Sequence, residues 1–439
     1  RCGSDAAFVP RLGSSGGYLS LKEIFGFINE TVDQLPLYAR AESIGMSLEK
    51  RPLVALCLGA CNTDEKVPQV LFTGMHHSRE GLVYTIDILR NGLLNGDLRV
   101  LELLFARQLW FVLVVNPDGY WRNELQSPWV HHINVGQRKN TRPGCDRVLD
   151  NGVDLNRNYA TCFDHDLIGS SIDVCGEDYR GPAAFSEPET QAIRDFVERE
   201  GMNFSVALNY HSFGRYFNLP FSCKDLGLPA GNNNDIFLAI ASEMSRYNGF
   251  DYGRAWEDSN LYPVNGETSD WMWQKHGIFA MSPEVGPGFQ TPSEVGFWPD
   301  REDVAPLSSE VHYSNVFAAQ VSGAIYNLTI DDLKVQNGSV DADVMISNVG
   351  LRLPTTTDAV ELMASLDLNG TSLSEIYRLD AVSFGTAQVG GATRSKVHLA
   401  LPDGKIADFG FYLFLRDSLS CQAFRVCTCA FDVLSLIQM

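Results

Sequence analysis

The chain has 439 residues, 45% of them hydrophobic, with ten cysteines and a formal charge of −20 at neutral pH. That length and apolar content suffice for one large domain plus a smaller one, each with a real core. The acidity is spread along the chain, which argues against nucleic acid or an anionic membrane as a partner, and the longest apolar run, LWFVLVV at 109–115, is strand length and far short of the roughly 18 residues of a membrane span.

In LKEIFGFINETVDQLP, Leu21, Ile24, Phe25, Ile28, Val32 and Leu35 recur every three or four residues, which predicts an amphipathic helix stopped near Pro36. PLVALCLGA, QVLFTG, LWFVLVVN, FSVALNYHS and GIFAMSPEV follow as short, mostly continuous apolar runs, the pattern of strands covered on both faces. Between them, SEPETQAIRDFVERE places Ser186 three residues before Glu189, which predicts a capping box opening a helix. The sum is an α/β domain with a central sheet and helices on both faces. From about residue 328, short alternating stretches such as NLTIDDLKV, KVHLALP and FGFYLFLRD are divided by Gly, Asn, Asp and Pro, which predicts a smaller all-β sandwich. The expected domains are 1–327 and 328–439.

The cysteines fit neither a zinc ribbon nor a redox CxxC pair, and Asn-x-Ser/Thr sequons begin at Asn29, Asn203, Asn327, Asn337 and Asn369. Together these favour an oxidising, secretory compartment. The opening RCGSDAAF has no signal-peptide pattern, so a leader is expected to have been removed or never to have existed.

Loops at strand ends project from a rigid scaffold and collect ligands. Here such ends carry His76-His77-Ser78-Arg79-Glu80, Asn116-Pro117-Asp118-Gly119-Tyr120, Tyr210-His211-Ser212 and Glu284. His77 and Glu80 form a His-x-x-Glu pair, one imidazole and one carboxylate close together, which are donors a hydrolytic zinc ion accepts. A distant histidine completes such a set with a position left for water, and His211 is the best candidate. His131, His132 and His165 have no such support and are assigned to surface or loop structure.

In order, HSRE at 77–80, NPDGY at 116–120, RKNTR at 138–142, GVDLNRNY at 152–159, HS at 211–212, YPVNGETSDW at 262–271 and PEVG at 283–286 resemble the zinc metallocarboxypeptidases of the carboxypeptidase A/B type, over roughly residues 17–325. The resemblance implies a mixed central sheet of the carboxypeptidase kind and one Zn2+ per chain bound by His77, Glu80 and His211, with Arg79 lining the site and His76 outside the HxxE register. It implies that Asn156 and Arg157 grip the substrate's terminal carboxylate, for which an arginine fork is suited. Tyr262 matches a mobile tyrosine that closes over substrate, Glu284 a general base, and Arg138 a group that polarises the scissile carbonyl. Ser212 and Phe213 would line the substrate subsites.

Four departures stand out. Gln137 replaces the tryptophan common before the RK pair, and Asn140 is an apparent insertion, so Arg142 rivals Arg138. Phe213 replaces a tyrosine. Ser269 occupies the pocket floor where basic-specific members carry an acid, and Ser222 is likewise neutral; both point to neutral or apolar C-terminal residues, although Glu267 stands close enough to attract Lys or Arg. The family's N-terminal prodomain is expected to have been removed or to be lacking. Cys175 resembles a family disulfide position, with Cys145 as its partner and Cys162 in competition; Cys57 and Cys61, and the group of Cys421, Cys427 and Cys429, are placed to pair locally.

The expected function is therefore that of a secreted, monomeric zinc exopeptidase acting on the C-termini of peptides or proteins. The alternatives are an inactive peptide-binding relative and a peptidase for basic C-terminal residues or cell-wall amides.

Overall fold

The computed structural model describes residues 11–62, 67–78, 84–126, 136–147, 150–258, 262–336, 339–351, 360–367, 376–382, 392–400, 410–416, 421–427 and 437–438. The chain divides into two compact units, Arg1–Ala319 and Gln320–Met439.

The first unit opens with α1 (Leu21–Gln34), which buries Leu21, Ile24, Phe27 and Ile28. A capping box starts it: the Ser20 hydroxyl accepts from the Glu23 amide, and the Glu23 carboxylate accepts from the Ser20 amide at 2.8 Å. The strands that follow are β1 (Ala39–Met46), β2 (Pro52–Gly59), β3 (Gln69–Thr73), β4 (Gln108–Val112), β5 (Phe204–Asn209), β6 (His211–Ser212), β7 (Tyr216–Asn218), β8 (Asp251–Gly253) and β9 (Phe279–Val285). They form one mixed sheet in the order β1-β2-β4-β3-β5-β9-β7-β8, with β6 also paired to β9. The centre, β4-β3-β5-β9, is parallel.

Every residue of β3 and β4 is buried, which explains why these strands read as unbroken apolar runs. Alternate residues serve opposite faces. Leu71, Trp110 and Val112 join Ile193, Phe196, Trp271 and Met272 in one cluster, covered by α5 (Pro188–Glu198) and α7 (Thr268–His276). On the other face Phe72, Phe111 and Leu113 meet Ile86 of α2 (Tyr84–Leu94) and Ser308 of α8 (Arg301–Glu310), around a cavity of about 40 Å³. Between these lie α3 (Leu98–Phe105), α4 (Pro117–Gln126) and α6 (Asn233–Met244), and α9 (His312–Val321) follows α8.

The start of α5 differs from the capping box read in the sequence. Pro188 takes the first helical position, where its fixed φ fits and its missing N–H costs nothing, and Glu187 becomes the N-cap with no side-chain cap bond. Ser186 donates to Glu187 Oε1 at 2.6 Å instead, and Glu189 turns inward to accept from the Leu48 amide at 2.9 Å.

The NPDGY turn is a structural hub. Asp118 is fully buried and accepts from Ser47 Oγ and the Glu49 amide, each at 2.7 Å, and from Arg51 Nη1 at 2.7 Å. A Cβ on Gly119 would come within 2.4 Å of Ser78 Oγ and 2.8 Å of the Lys139 carbonyl, so glycine lets α4 approach the loop that carries His77.

Three disulfides are present among the described residues: Cys57–Cys61, Cys145–Cys175 and Cys162–Cys223. The first two pairs match the sequence reading, and Cys162 finds a partner it did not consider. Cys429 lies outside the described residues, and so does any pairing that would involve it.

In the second unit, β10 (Tyr326–Gln336), β11 (Ser339–Asn348) and β14 (Ala392–Ala400) form one antiparallel sheet. A second antiparallel sheet has the order β13-β12-β15-β16-β17, from Ile376–Val382, Val360–Asp367, Gly410–Arg416, Cys421–Cys427 and Ile437–Gln438. Ala342, Val344 and Ile346 are buried at alternate positions of β11, the period-two pattern read from the sequence.

Candidate active site

The central parallel strands all deliver their C-terminal ends to one place. β3 runs into Gly74-Met75-His76-His77, β5 into Tyr210-His211, and β9 carries Glu284. His211 of β6 and Glu284 of β9 are register partners on adjacent strands. His77 and His211 are both buried, and their Nδ1 atoms lie 3.1 Å apart.

The loop holding His77 is fastened to Asn123, Gln137 and Arg138. Ser78 donates its amide to the Arg138 carbonyl and its hydroxyl to the Gln137 carbonyl, at 3.2 and 2.6 Å. Asn123 donates to the Ser78 and Gln137 carbonyls at 2.9 and 3.0 Å and accepts from the Gln137 amide at 2.6 Å. Gln137 thus has a structural task that the departure from tryptophan did not reveal.

Asp154 ties the histidine to the arginine. Its Oδ1 lies 3.1 Å from His77 Nε2, and its Oδ2 accepts from Arg138 Nε at 3.0 Å and Nη2 at 2.7 Å. Burial alone would raise the Asp154 pKa, but the charges of Arg138 and Arg157, with the hydrogen bond to His77, override it and hold the carboxyl well below its ordinary range. Arg142, the rival of Arg138, is fixed on Glu187 at 2.8 Å instead. Between them, fully buried Asn140 donates to Glu187 at 2.8 Å and accepts from the Val153 amide at 2.8 Å.

Asn156 and Arg157 occupy a single helical turn capped by Asp154, whose side chain accepts from the Asn156 amide. Asn156 Oδ1 accepts from the amide and hydroxyl of Thr268 at 3.0 and 2.7 Å, and its Nδ2 lies 3.1 Å from His211 Nε2. Arg157 is 2% exposed, donates through Nη1 to the Asn156 carbonyl at 3.0 Å, and has a buried Nε–H with no hydrogen-bond partner among the described residues. The Tyr262 ring, 55% exposed, has its centroid 5.9 Å from the Arg157 guanidinium carbon.

Behind this row lies a buried polar floor. Ser269 Oγ meets Ser282 Oγ at 2.8 Å and accepts from Asn209 Nδ2 at 2.9 Å, and Ser222 Oγ accepts from Asn218 at 2.7 Å. Glu267 caps α7 by accepting from the Asp270 amide at 2.9 Å and also accepts from Ser282. Asp270 accepts from the amides of Ser222 and Cys223; burial and the neighbouring Glu267 push its pKa well up. Phe213 packs edge-on against Phe297 at 5.0 Å.

The family model described as zinc carboxypeptidase matches residues 24–314, more than half of the chain. The chain belongs to the zinc carboxypeptidase family. Among curated relatives, human carboxypeptidase A5 is 28% identical over 306 residues, covering 68% of this chain and 65% of that protein. Carboxypeptidase B of Astacus astacus is 26% identical over 60% of this chain and 83% of its own. The chain thus spans just under two thirds of the length of carboxypeptidase A5. Among solved structures, thrombin activatable fibrinolysis inhibitor superposes with a TM-score of 0.59 at 23% identity, over 72% of this chain and 78% of that one. Carboxypeptidase A from Helicoverpa armigera gives 0.58 at 24%, over 69% and 73%. Both likenesses establish the fold, a central mixed sheet with helices.

The histidine pair fits the metal for which the zinc carboxypeptidase family is named. A tetrahedral zinc ion with Zn–N bonds of about 2.0–2.1 Å holds two ligand nitrogens about 3.3 Å apart, close to the observed 3.1 Å. The Asp154 contact behind His77 is of the kind by which an outer carboxylate orients an imidazole. Among the described residues no group of three His, Cys, Asp or Glu side chains is close enough to hold a metal; Arg79 and Glu80 lie outside the described residues, as do His131 and His132. His165 pairs with Asp225 at 2.9 Å, in keeping with a loop role.

Sequence reasoning missed Asp154, Thr268, Tyr159 and Asn140. Asp154 had a visible signal, because an acid two residues before Asn156 stands where it can cap that turn. The main partners of the other three stand far away in sequence.

Proposed function

We propose that the chain is a zinc metallocarboxypeptidase that hydrolyses the C-terminal peptide bond of peptides or proteins. The observation that carries the reading is the His77–His211 pair, Nδ1 to Nδ1 at 3.1 Å, with Glu284 in register beside His211. In this reading His77, Glu80 and His211 hold the zinc ion, whose chemistry when bound is that of a Lewis acid that acidifies water and polarises a carbonyl.

The chain's own groups then do the following. Glu284 accepts the proton of the attacking water and passes it to the leaving amine. Arg138, oriented by its two bonds to Asp154, donates to the scissile carbonyl oxygen as negative charge develops there. The Nε–H of Arg157, which has no hydrogen-bond partner among the described residues, and the amide of Asn156 receive the substrate's terminal carboxylate. Tyr262 covers the bound residue, Arg79 lines the approach, and Ser212 and Phe213 line the wall.

Ser269 and Ser222 offer neutral hydroxyls to the incoming side chain, and the Glu267 oxygens are engaged by the helix cap and Ser282. This supports a preference for neutral or apolar C-terminal residues. The sequon residues Asn29, Asn203 and Asn327 are exposed, which suits a secreted glycoprotein, and no described helix is long and apolar enough to cross a membrane.

Zinc content measured together with cleavage of N-blocked dipeptides differing only in the C-terminal residue tests the proposal. Stoichiometric zinc and cleavage abolished by Glu284→Gln are expected. Absence of cleavage across the panel by zinc-loaded protein would contradict it.

A further inference from the structure

Gln137 is buried, and its side chain turns back on its own loop. Nε2 stands 3.2 Å from the Lys139 carbonyl and 3.0 Å from each of the Asn140 and Asn151 carbonyls. All three partners can only accept, so the amide atom facing them is the nitrogen, and its two hydrogens are shared among three oxygens. The main chain of the same residue is held separately. Its amide donates to Asn123 Oδ1 at 2.6 Å, and its carbonyl accepts from Ser78 Oγ at 2.6 Å and from Asn123 Nδ2 at 3.0 Å.

Arg138 lies between these two sets of bonds. Its own carbonyl accepts from the Ser78 amide at 3.2 Å and from Asn116 Nδ2 at 3.4 Å, so the chain is fixed before, at and after the arginine. Among the described residues no backbone N–H reaches the Lys139, Asn140 or Asn151 carbonyls. The Gln137 amide therefore supplies the donors that a neighbouring strand would otherwise give. Two adjacent cations are thereby sent to different partners. Arg138 gives Nε and Nη2 to Asp154 Oδ2 at 3.0 and 2.7 Å, while buried Lys139 gives Nζ to the Gly176 carbonyl at 2.7 Å. Gln137 and Asn140, the two departures read in this loop, are joined by a hydrogen bond of 3.0 Å.

We infer that Gln137 is a positioning residue for the reaction: its side-chain amide fixes the turn from Arg138 to Asn140, and so sets where the Arg138 guanidinium stands relative to the scissile carbonyl oxygen. The inference rests on the reading that Arg138 stabilises the developing oxyanion. An arginine stem has several rotatable bonds, so its geometry is settled by the Cα position and the Asp154 contact together. Without the Gln137 amide, three inward carbonyls lose their donors, and the turn must shift to recover them. A displacement of about 1 Å at a catalytic group costs up to about 10²-fold in rate.

Gln137→Met keeps the length of the side chain and removes its donors, Gln137→Glu sets oxygens against the three carbonyls, and Gln137→Asn keeps the amide one methylene short. Each is made in the parent and in an Arg138→Ala background, checked for folding by urea unfolding, and measured for zinc content and for kcat and KM on one N-blocked dipeptide. Gln137→Met is expected to keep stoichiometric zinc, to hold KM within about twofold and to lower kcat about 10–100-fold. Gln137→Glu should fall lower still, and Gln137→Asn between the Met variant and the parent. In the Arg138→Ala background the same substitutions should change kcat less than about twofold, because the group they position is gone. A loosened core alone would instead lower kcat by the same factor in both backgrounds. The inference is overturned if folded Gln137→Met, or Gln137→Asn should the former not fold, keeps the parent's kcat. It is equally overturned if the loss multiplies with that of Arg138→Ala, or if zinc is lost in place of kcat. If Arg138→Ala itself keeps the parent's kcat, the oxyanion role assigned to Arg138 falls, and this inference with it.

Discussion

One carboxylate, Asp154, holds His77 through Oδ1 at 3.1 Å and Arg138 through Oδ2 at 2.7 and 3.0 Å. In the proposed reading, a metal-binding imidazole and an oxyanion-stabilising guanidinium are thereby set by the same buried group. Asp154→Asn keeps the shape and removes the charge. Zinc affinity is expected to fall about 10–100-fold, read by titration against a competing chelator, with the far-ultraviolet spectrum unchanged. Unaltered zinc affinity would detach Asp154 from the metal centre.

Arg142 rivals Arg138 four residues away in the sequence, and their partners separate them. Arg138→Ala should lower kcat about 10²–10³-fold, the effect of removing one oxyanion donor. Arg142→Ala strips buried Glu187 of its cation and should cost about 1–3 kcal/mol of stability with kcat almost unchanged. Steady-state kinetics and urea melts on both variants decide the matter.

Glu189 gives a pH signature. Burial first, with a contribution from Asp118, raises its pKa to about 7, against the bonds from Leu48 and Asn140. The folded state therefore holds a proton that the unfolded state releases near pH 4.5, so this group's stabilisation is present below that pH and is lost as pH rises to about 7. At 1.36 kcal/mol per pKa unit the loss is roughly 3 kcal/mol. Glu189→Gln should flatten the profile over that window and be the more stable protein at pH 8, measured by denaturant unfolding across pH.

Much of the fold was legible because it depends on local pattern. β3 and β4 are buried on both faces and read as unbroken apolar runs, while β11 alternates and reads as a sheet with one buried face. The motif order also brought His77, His211 and Glu284 to one edge of the sheet. What did not show was pairing across distance. Ser186 has a capping-box spacing, yet Pro188 displaces the helix start and Glu189 is drawn inward by the Leu48 amide. Register with Glu80 separates His77 from His76 in the sequence, but the partners of His76, Tyr159 and Thr268, stand 83 and 192 residues away. Cys162 lies nearer Cys175 in sequence than its actual partner Cys223, 61 residues on.

That Cys162–Cys223 bond anchors the backbone beside Ser222, whose amide and that of Cys223 both bind Asp270. Closing a loop of this length stabilises by up to about 4 kcal/mol in the chain-entropy model. The double Cys162→Ala, Cys223→Ala variant should lose stability on that scale and show a raised KM, because the pocket wall loosens. A melt and a KM measurement on the same sample check both parts.

The central claim is a zinc centre that reads a free C-terminus. Its most direct test is the rate at which zinc-loaded protein cleaves one N-blocked dipeptide as the free acid and as the C-terminal amide. Cleavage of the acid, little or none of the amide, and loss of both zinc and activity in His77→Ala are expected. Equal cleavage of acid and amide, or full activity in a zinc-free His77→Ala protein, would contradict it.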